Sequence, residues 1–143
     1  MPEKNKNNVK QVVLVRTDLN MSIGKIASQV AHACMSVFFQ KLVKTNNDIN
    51  ISFNNPDYYI VQHSKYFDEY IQGAFKKVVL AVESEKQLLD LYQKAKDKNI
   101  HCSLIKDSGL TEFNLVPTYT TVCIGPWIDS EIDEITGHLK LLK

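Results

Sequence analysis

No run of about eighteen apolar residues occurs in the chain, and the opening MPEKNKNNVK has positive charge with neither a signal-type apolar stretch nor a small-residue cleavage site behind it. Neither a membrane span nor a secretory leader is therefore expected, and the expected compartment is the cytoplasm. Cysteine is scarce. Cys34, Cys102 and Cys123 are an odd number, far apart, each amid apolar neighbours, with no CxxC pair and no Cys/His cluster at zinc spacing. That pattern excludes a disulfide scaffold and a zinc site and predicts buried free thiols. A thiol enzyme is not expected either, because neither Cys34 nor Cys102 has an adjacent base in the sequence. Also missing are a GxSxG elbow, a phosphate loop ending in Gly-Lys-Ser/Thr, an HExxH helix and a dinucleotide glycine fingerprint. The net charge of +1 gives no general pull toward nucleic acid, although residues 1–44 hold seven Lys/Arg against only Glu3 and Asp18.

What remains is an ordinary globular composition, 44% apolar and 23% charged over 143 residues, which fits one domain with a real core. Residues 10–17 (KQVVLVRT) read as a buried strand ending at a turn, after a flexible tail over 1–9. A helix over about 24–44 follows, capped by Ser22 or Asn20 and expected to be largely buried, with small residues Ala27, Ala31 and Ala33 admitting a close neighbour. The asparagine-rich stretch 45–57 reads as a surface loop, and 58–73 as a short amphipathic helix whose Tyr59, Tyr66, Phe67 and Tyr70 pack onto the domain. A strand over 77–82, a helix to about Lys98 behind the capping box Ser84-x-x-Gln87, strands over 100–106 and 119–125, and a helix over 129–135 complete the order. Gly125-Pro126 reads as strand punctuation, and His63 and His101 have no evident partner. The implied architecture is α/β: a single-domain three-layer sandwich, its mixed four-stranded sheet covered by helices on both faces.

Two polar segments about eighty residues apart carry the chemical signal. At roughly 100° per residue, Lys25, Gln29, His32 and Ser36 share one narrow stripe of the first helix, which must face a cleft or a hydrogen-bonded interior. A satisfied core histidine with a solvent-directed lysine is the plainer alternative. Lys25 opposes the helix dipole, yet an ammonium beside free amides suits a phosphate or a developing oxyanion, and Gly24 leaves room for it. Downstream, Asp107-Ser108-Gly109 follows an apolar strand, with Thr111 four positions on and Thr120 in the next strand. Asp-Ser-Gly is equally a common turn.

In VVLVRTDL (12–19), GKIASQVAHA (24–33), KVVLAV (77–82), DSGLTEF (107–113), the IGP at 124–126 and TGHLKLL (136–142), the chain resembles the type II peptidyl-tRNA hydrolases of archaea and eukaryotes. The resemblance covers residues 10–143 apart from 45–57, which looks like an insertion. It implies a compact α/β sandwich, often a homodimer, that hydrolyses the ester between peptide and tRNA without metal or cofactor. It further implies Lys25, His32, Asp107 and Thr111 as catalytic residues, and Arg16, Gly24, Gln29, Gly109 and Thr120 as substrate-binding ones. Asp107, with His32, would hold or deprotonate a water, and Lys25 would stabilise negative charge. Where the family usually reads Asp-Ala-Gly-Arg-Thr-Gln, Leu110 stands here for the arginine and Glu112 for the glutamine. That change makes the loop two charge units less attractive to RNA, so a noncatalytic RNA- or protein-binding module is the competing reading.

Overall fold

The structure is a computed structural model and describes residues 8–42 and 60–143. Its elements are β1 (Val9–Arg16), α1 (Ile23–Phe39), α2 (Phe67–Gln72), β2 (Lys77–Val82), α3 (Glu85–Asp97), β3 (Cys102–Asp107), β4 (Thr118–Ile128) and α4 (Asp129–Thr136). The strands form one sheet in the order β2-β1-β4-β3, with β1 and β2 parallel and the β1–β4 and β4–β3 pairs antiparallel.

The near-continuous apolar run of β1 is explained by its central place, because both of its faces are covered. Val12 and Leu14 join Leu80, Leu88, Leu91, Ala95, Val122, Ile132 and Ile135 in the core beneath α3 and α4. Val13 and Val15 join Ala33, Cys34, Val37 and Cys123 beneath α1. The result is the expected three-layer mixed sandwich. Gln11, on the α1 side, is buried with its polar groups paired. Gln11 Nε2 donates to the Cys34 carbonyl at 3.3 Å, and Gln11 Oε1 accepts from the Tyr70 hydroxyl at 2.7 Å. Tyr70 and Phe67 are buried, as their reading as packing residues requires. All three cysteines are buried and free, and burial pushes the Cys102 thiol up to about 11.

Several boundaries differ from the sequence reading. α1 stops at Phe39, five residues before the expected end, because the chain turns at Gln40–Lys41 and Leu42 bridges to Val61. The helix is also half exposed rather than largely buried. Among the described residues only Gln29, Ala33, Cys34 and Val37 of this helix are buried, and Ala27 and Ala31 are exposed. The short helix begins at Phe67, behind Tyr66 in the left-handed region (φ 72°). β4 runs on to Ile128 through Gly125-Pro126, which stand together opposite Gln11 in a bulge where the missing proline N–H interrupts no regular pair. His63 and His101 both have partners: Nε2 of the first lies 3.0 Å from Asp68 Oδ2, and that of the second 2.7 Å from the Val37 carbonyl. β1 starts at Val9, one residue into the expected tail, of which residues 1–7 lie outside the described residues, as does the whole expected insertion over 45–57. Among the described residues no helix is long and apolar enough to cross a membrane.

Candidate active site

The N-terminus of α1 is set by Ser22, which has an extended backbone and whose hydroxyl accepts from the Lys25 N–H at 3.2 Å. No acidic residue occupies the first turn of this helix. The negative charge that the dipole favours comes instead from Glu112, ninety residues on. Its carboxylate accepts from the Ser22 hydroxyl at 2.5 Å and from the Ser22 N–H at 3.3 Å. This clasp brings the 108–117 loop over the start of α1.

The two distant polar segments meet there. Lys25 Nζ donates to Asp107 Oδ1 at 2.7 Å and to Thr111 Oγ1 at 2.8 Å. Gln29 Nε2 donates to the same Asp107 oxygen at 3.2 Å, and Gln29 Oε1 accepts from the Thr120 hydroxyl at 2.5 Å. The Gly109 N–H donates to Asp107 Oδ2 at 2.8 Å. Gly109 has φ +82°, and a Cβ there would lie 2.4 Å from the Val116 carbonyl oxygen, so the turn admits no side chain. The Lys25 ammonium also lies 5.6 Å from the centre of the Phe113 ring.

The network grades from interior to solvent. Thr120 and Gln29 are fully buried, the Lys25 and Asp107 side chains are 11% and 12% exposed, and Thr111 is open to water. The Lys25 ammonium, followed by the Gly109 and Gln29 hydrogen bonds, outweighs partial desolvation and holds the Asp107 carboxyl below its ordinary value of 3.8. Asp107 is therefore ionised at neutral pH. An ammonium has three N–H donors, of which Asp107 and Thr111 take two, and a carboxylate that accepts three hydrogen bonds keeps at least one open lone pair. A donor and an acceptor thus remain side by side on an open rim.

Of the residues expected in the site, Lys25, Gln29, Asp107, Gly109, Thr111 and Thr120 come together. Gly24 adjoins them, with open space where a Cβ would stand. Two others lie outside the network. Arg16 is buried at the end of β1, donating to both carboxylate oxygens of Asp18 at 3.0 and 2.7 Å and to the Tyr119 carbonyl at 2.9 Å. His32 is exposed on α1 and makes no hydrogen bond among the described residues. Ser36, on the same stripe, turns inward to Ser103 at 2.5 Å. The stripe therefore serves both of the surroundings expected for it, a cleft at its start and a bonded interior further along. The Ser22–Glu112 clasp was not foreseen. Its one sequence signal is the absence of an acid from the first turn. Among the described residues no group of three or more His, Cys, Asp or Glu side chains is placed to hold a metal ion.

Comparison with known proteins adds relatives to this geometry. The family model described as peptidyl-tRNA hydrolase PTH2 matches residues 9–142. The chain is 42% identical over 135 residues to the peptidyl-tRNA hydrolase of Methanocaldococcus jannaschii, spanning 94% of this chain and 100% of that one. It is also 42% identical over 134 residues to the peptidyl-tRNA hydrolase of Staphylothermus marinus, with 93% and 94% covered. A solved structure of a protein of unknown function from Agrobacterium tumefaciens superposes with a TM-score of 0.57 at 13% identity, over 95% of this chain and 98% of that one. This last likeness speaks to the fold alone.

Proposed function

The chain belongs to the peptidyl-tRNA hydrolase PTH2 family, and from that membership we propose that the Lys25–Asp107 cluster is where it hydrolyses the ester joining a peptide to tRNA. The observation that carries the assignment is the meeting of Lys25, Gln29, Asp107, Thr111 and Thr120, drawn from a helix, a loop and two strand ends, in one hydrogen-bonded network at a solvent-facing rim.

The chemistry asked of the site is modest, because an aminoacyl ester is already activated. The open lone pair of the ionised Asp107 carboxylate holds a water and draws on its proton as the water oxygen adds to the ester carbonyl. The depressed pKa makes Asp107 a weak base, so its larger contribution is orientation. The third Lys25 N–H faces the carbonyl oxygen and stabilises the oxyanion of the tetrahedral intermediate. Collapse breaks the bond to the ribose oxygen, which takes up a proton, and leaves free tRNA and a peptide carboxylate. Gln29 acts as a positioning residue: locked by Thr120 behind it, it fixes the Asp107 oxygen that Lys25 also grips. Gly109 fixes the other oxygen. Gly24 leaves the substrate room to approach, and His32 and Arg16 stand where they can contact the tRNA only beyond this network.

A homodimer is proposed through α1, where Ile23, Ala27, Ala31, Met35 and Phe39 form an exposed stripe at four-residue spacing. The cytoplasm, where peptidyl-tRNA arises, is the proposed compartment. The test of function is release of peptide from a model peptidyl-tRNA under single-turnover conditions. Binding without release would assign the chain to the noncatalytic module instead.

A further inference from the structure

A second chemistry-bearing surface lies at the opposite end of the sheet from the hydrolytic cluster. An open cavity of about 440 Å³ is formed where the ends of α1 and α3 meet the start of β3 and the end of β4. Lys41, Lys65 and Lys96 converge on it, and among the described residues no acidic side chain lines it. None of the three makes an ion pair among the described residues, so their charge is left for a ligand.

Two of the lysines are arranged over rings. Lys65 Nζ lies 5.0 Å from the centre of Tyr66 and 5.7 Å from that of Trp127, and Lys96 Nζ lies 5.2 Å from that of Tyr92. Tyr66 in turn meets Trp127 edge to face at 4.9 Å, from a left-handed backbone (φ 72°) that an aromatic residue seldom adopts. The indole N–H of Trp127 donates to Glu131, which fixes the ring and occupies the nearby carboxylate. Ammonium groups beside aromatic faces suit a ligand with both phosphates and bases.

The distance to the hydrolytic cluster matters. Along β3, five residues separate Cys102 in this cavity from Asp107, about 17 Å at strand rise. Along α1, Lys25 and Phe39 are fourteen residues apart, about 21 Å at helical rise. A nucleic-acid duplex carries roughly one phosphate per 1.7 Å of its axis, so a tRNA whose ester sits at Asp107 presents phosphates at that distance. We propose that Lys41, Lys65 and Lys96, with Tyr66, Tyr92 and Trp127 beside them, form a second tRNA-binding surface that holds the nucleic acid about 20 Å from the scissile ester. This inference rests on the hydrolase reading for the choice of tRNA. It also supplies cations that the 108–117 loop, with Leu110 and Glu112, does not.

The test uses the full chain and a variant carrying Lys41→Gln, Lys65→Gln and Lys96→Gln, which keeps most of each stem. Binding of uncharged tRNA is measured from low to moderate salt, and hydrolysis is measured on full peptidyl-tRNA and on a peptidyl trinucleotide too short to reach the surface. The proposal expects tRNA affinity to fall at least tenfold and the salt slope to shrink by about 0.7–0.9 per lysine. KM for the full substrate should rise by a similar factor at unchanged kcat, while the trinucleotide is cleaved as by the parent. A dissociation constant and slope within twofold of the parent's would overturn it, as would loss of an acidic polypeptide probe from the variant with tRNA binding intact. Failure of the hydrolase reading looks different: the parent would cleave neither substrate, and the tRNA-binding comparison would still decide the role of this surface.

Discussion

Lys25→Met removes one ammonium and keeps most of the stem, so its consequences can be worked from the contacts. In stability, the Lys25–Asp107 pair lies between an exposed pair, worth about 0–1 kcal/mol, and a buried one, whose breaking costs about 3–5. Both side chains are about one-tenth exposed, and Asp107 keeps the Gln29 and Gly109 hydrogen bonds, so its charge is not left orphaned. A loss of about 1–2 kcal/mol at pH 7 is expected by chemical denaturation. Catalysis should suffer more. Loss of one oxyanion donor typically costs about 10²–10³ in kcat, and that range is expected at saturating peptidyl-tRNA. The pH dependence has a definite sign. Lys25 is the main cause that holds Asp107 below 3.8 in the folded state. The stability this confers is present above the unfolded carboxyl value and is lost as pH falls through the folded one. Without Lys25 the folded value rises, so the acid limb of residual kcat and the onset of acid unfolding both move to higher pH. The assays are single-turnover peptide release across a pH series, with circular dichroism on the same samples. A folded variant with kcat within threefold of the parent's, or with an acid limb that stays put or moves down, would refute the reasoning.

Further outcomes are expected around the loop and the helix. Gly109→Ala forces a side chain into a φ of +82° and against the Val116 carbonyl. It should cost more than about 2 kcal/mol in denaturant unfolding and lower kcat with it, and a neutral effect on both would show that the turn is not held as described. Leu110→Arg with Glu112→Gln adds two units of positive charge to an exposed loop. A glutamine carbonyl can still accept from Ser22, so the clasp survives, tRNA binding tightens at low salt and the salt slope steepens; an unchanged dissociation constant would contradict this. Ala31→Glu places a charge in the middle of the exposed α1 stripe and should yield monomers in light scattering, whereas an unaltered dimer mass would move the interface elsewhere.

Most of the fold could be read from local pattern because the pattern has local causes. β2 falls where expected, over Lys77–Val82, and the Ser84 cap starts α3 as its spacing implies. What local pattern could not show was set by neighbours distant in sequence. The end of α1 depends on a bridge between Leu42 and Val61, and the passage of β4 through Gly125-Pro126 depends on a bulge opposite Gln11. The exposure of Ala27 and Ala31 follows from no described residue packing above α1, which no property of the helix itself reveals. In the site, a fixed helical angle placed Lys25 and Gln29 on one stripe, but it could not say that His32, on that stripe too, would make no hydrogen bond among the described residues while Ser36 turned to Ser103. Nor could it show that Arg16 would spend its guanidinium on Asp18 and the Tyr119 carbonyl.

The most direct measurement is the single-turnover rate of peptide release from peptidyl-tRNA by the Asp107→Asn variant beside the parent. Asparagine preserves the shape of the side chain but removes the charge that Lys25 grips and the acceptor that orients the water, so a fall of at least about 10²-fold is expected with tRNA binding retained. Release at the parent's rate by a folded variant would show that the ester is cleaved without this carboxylate.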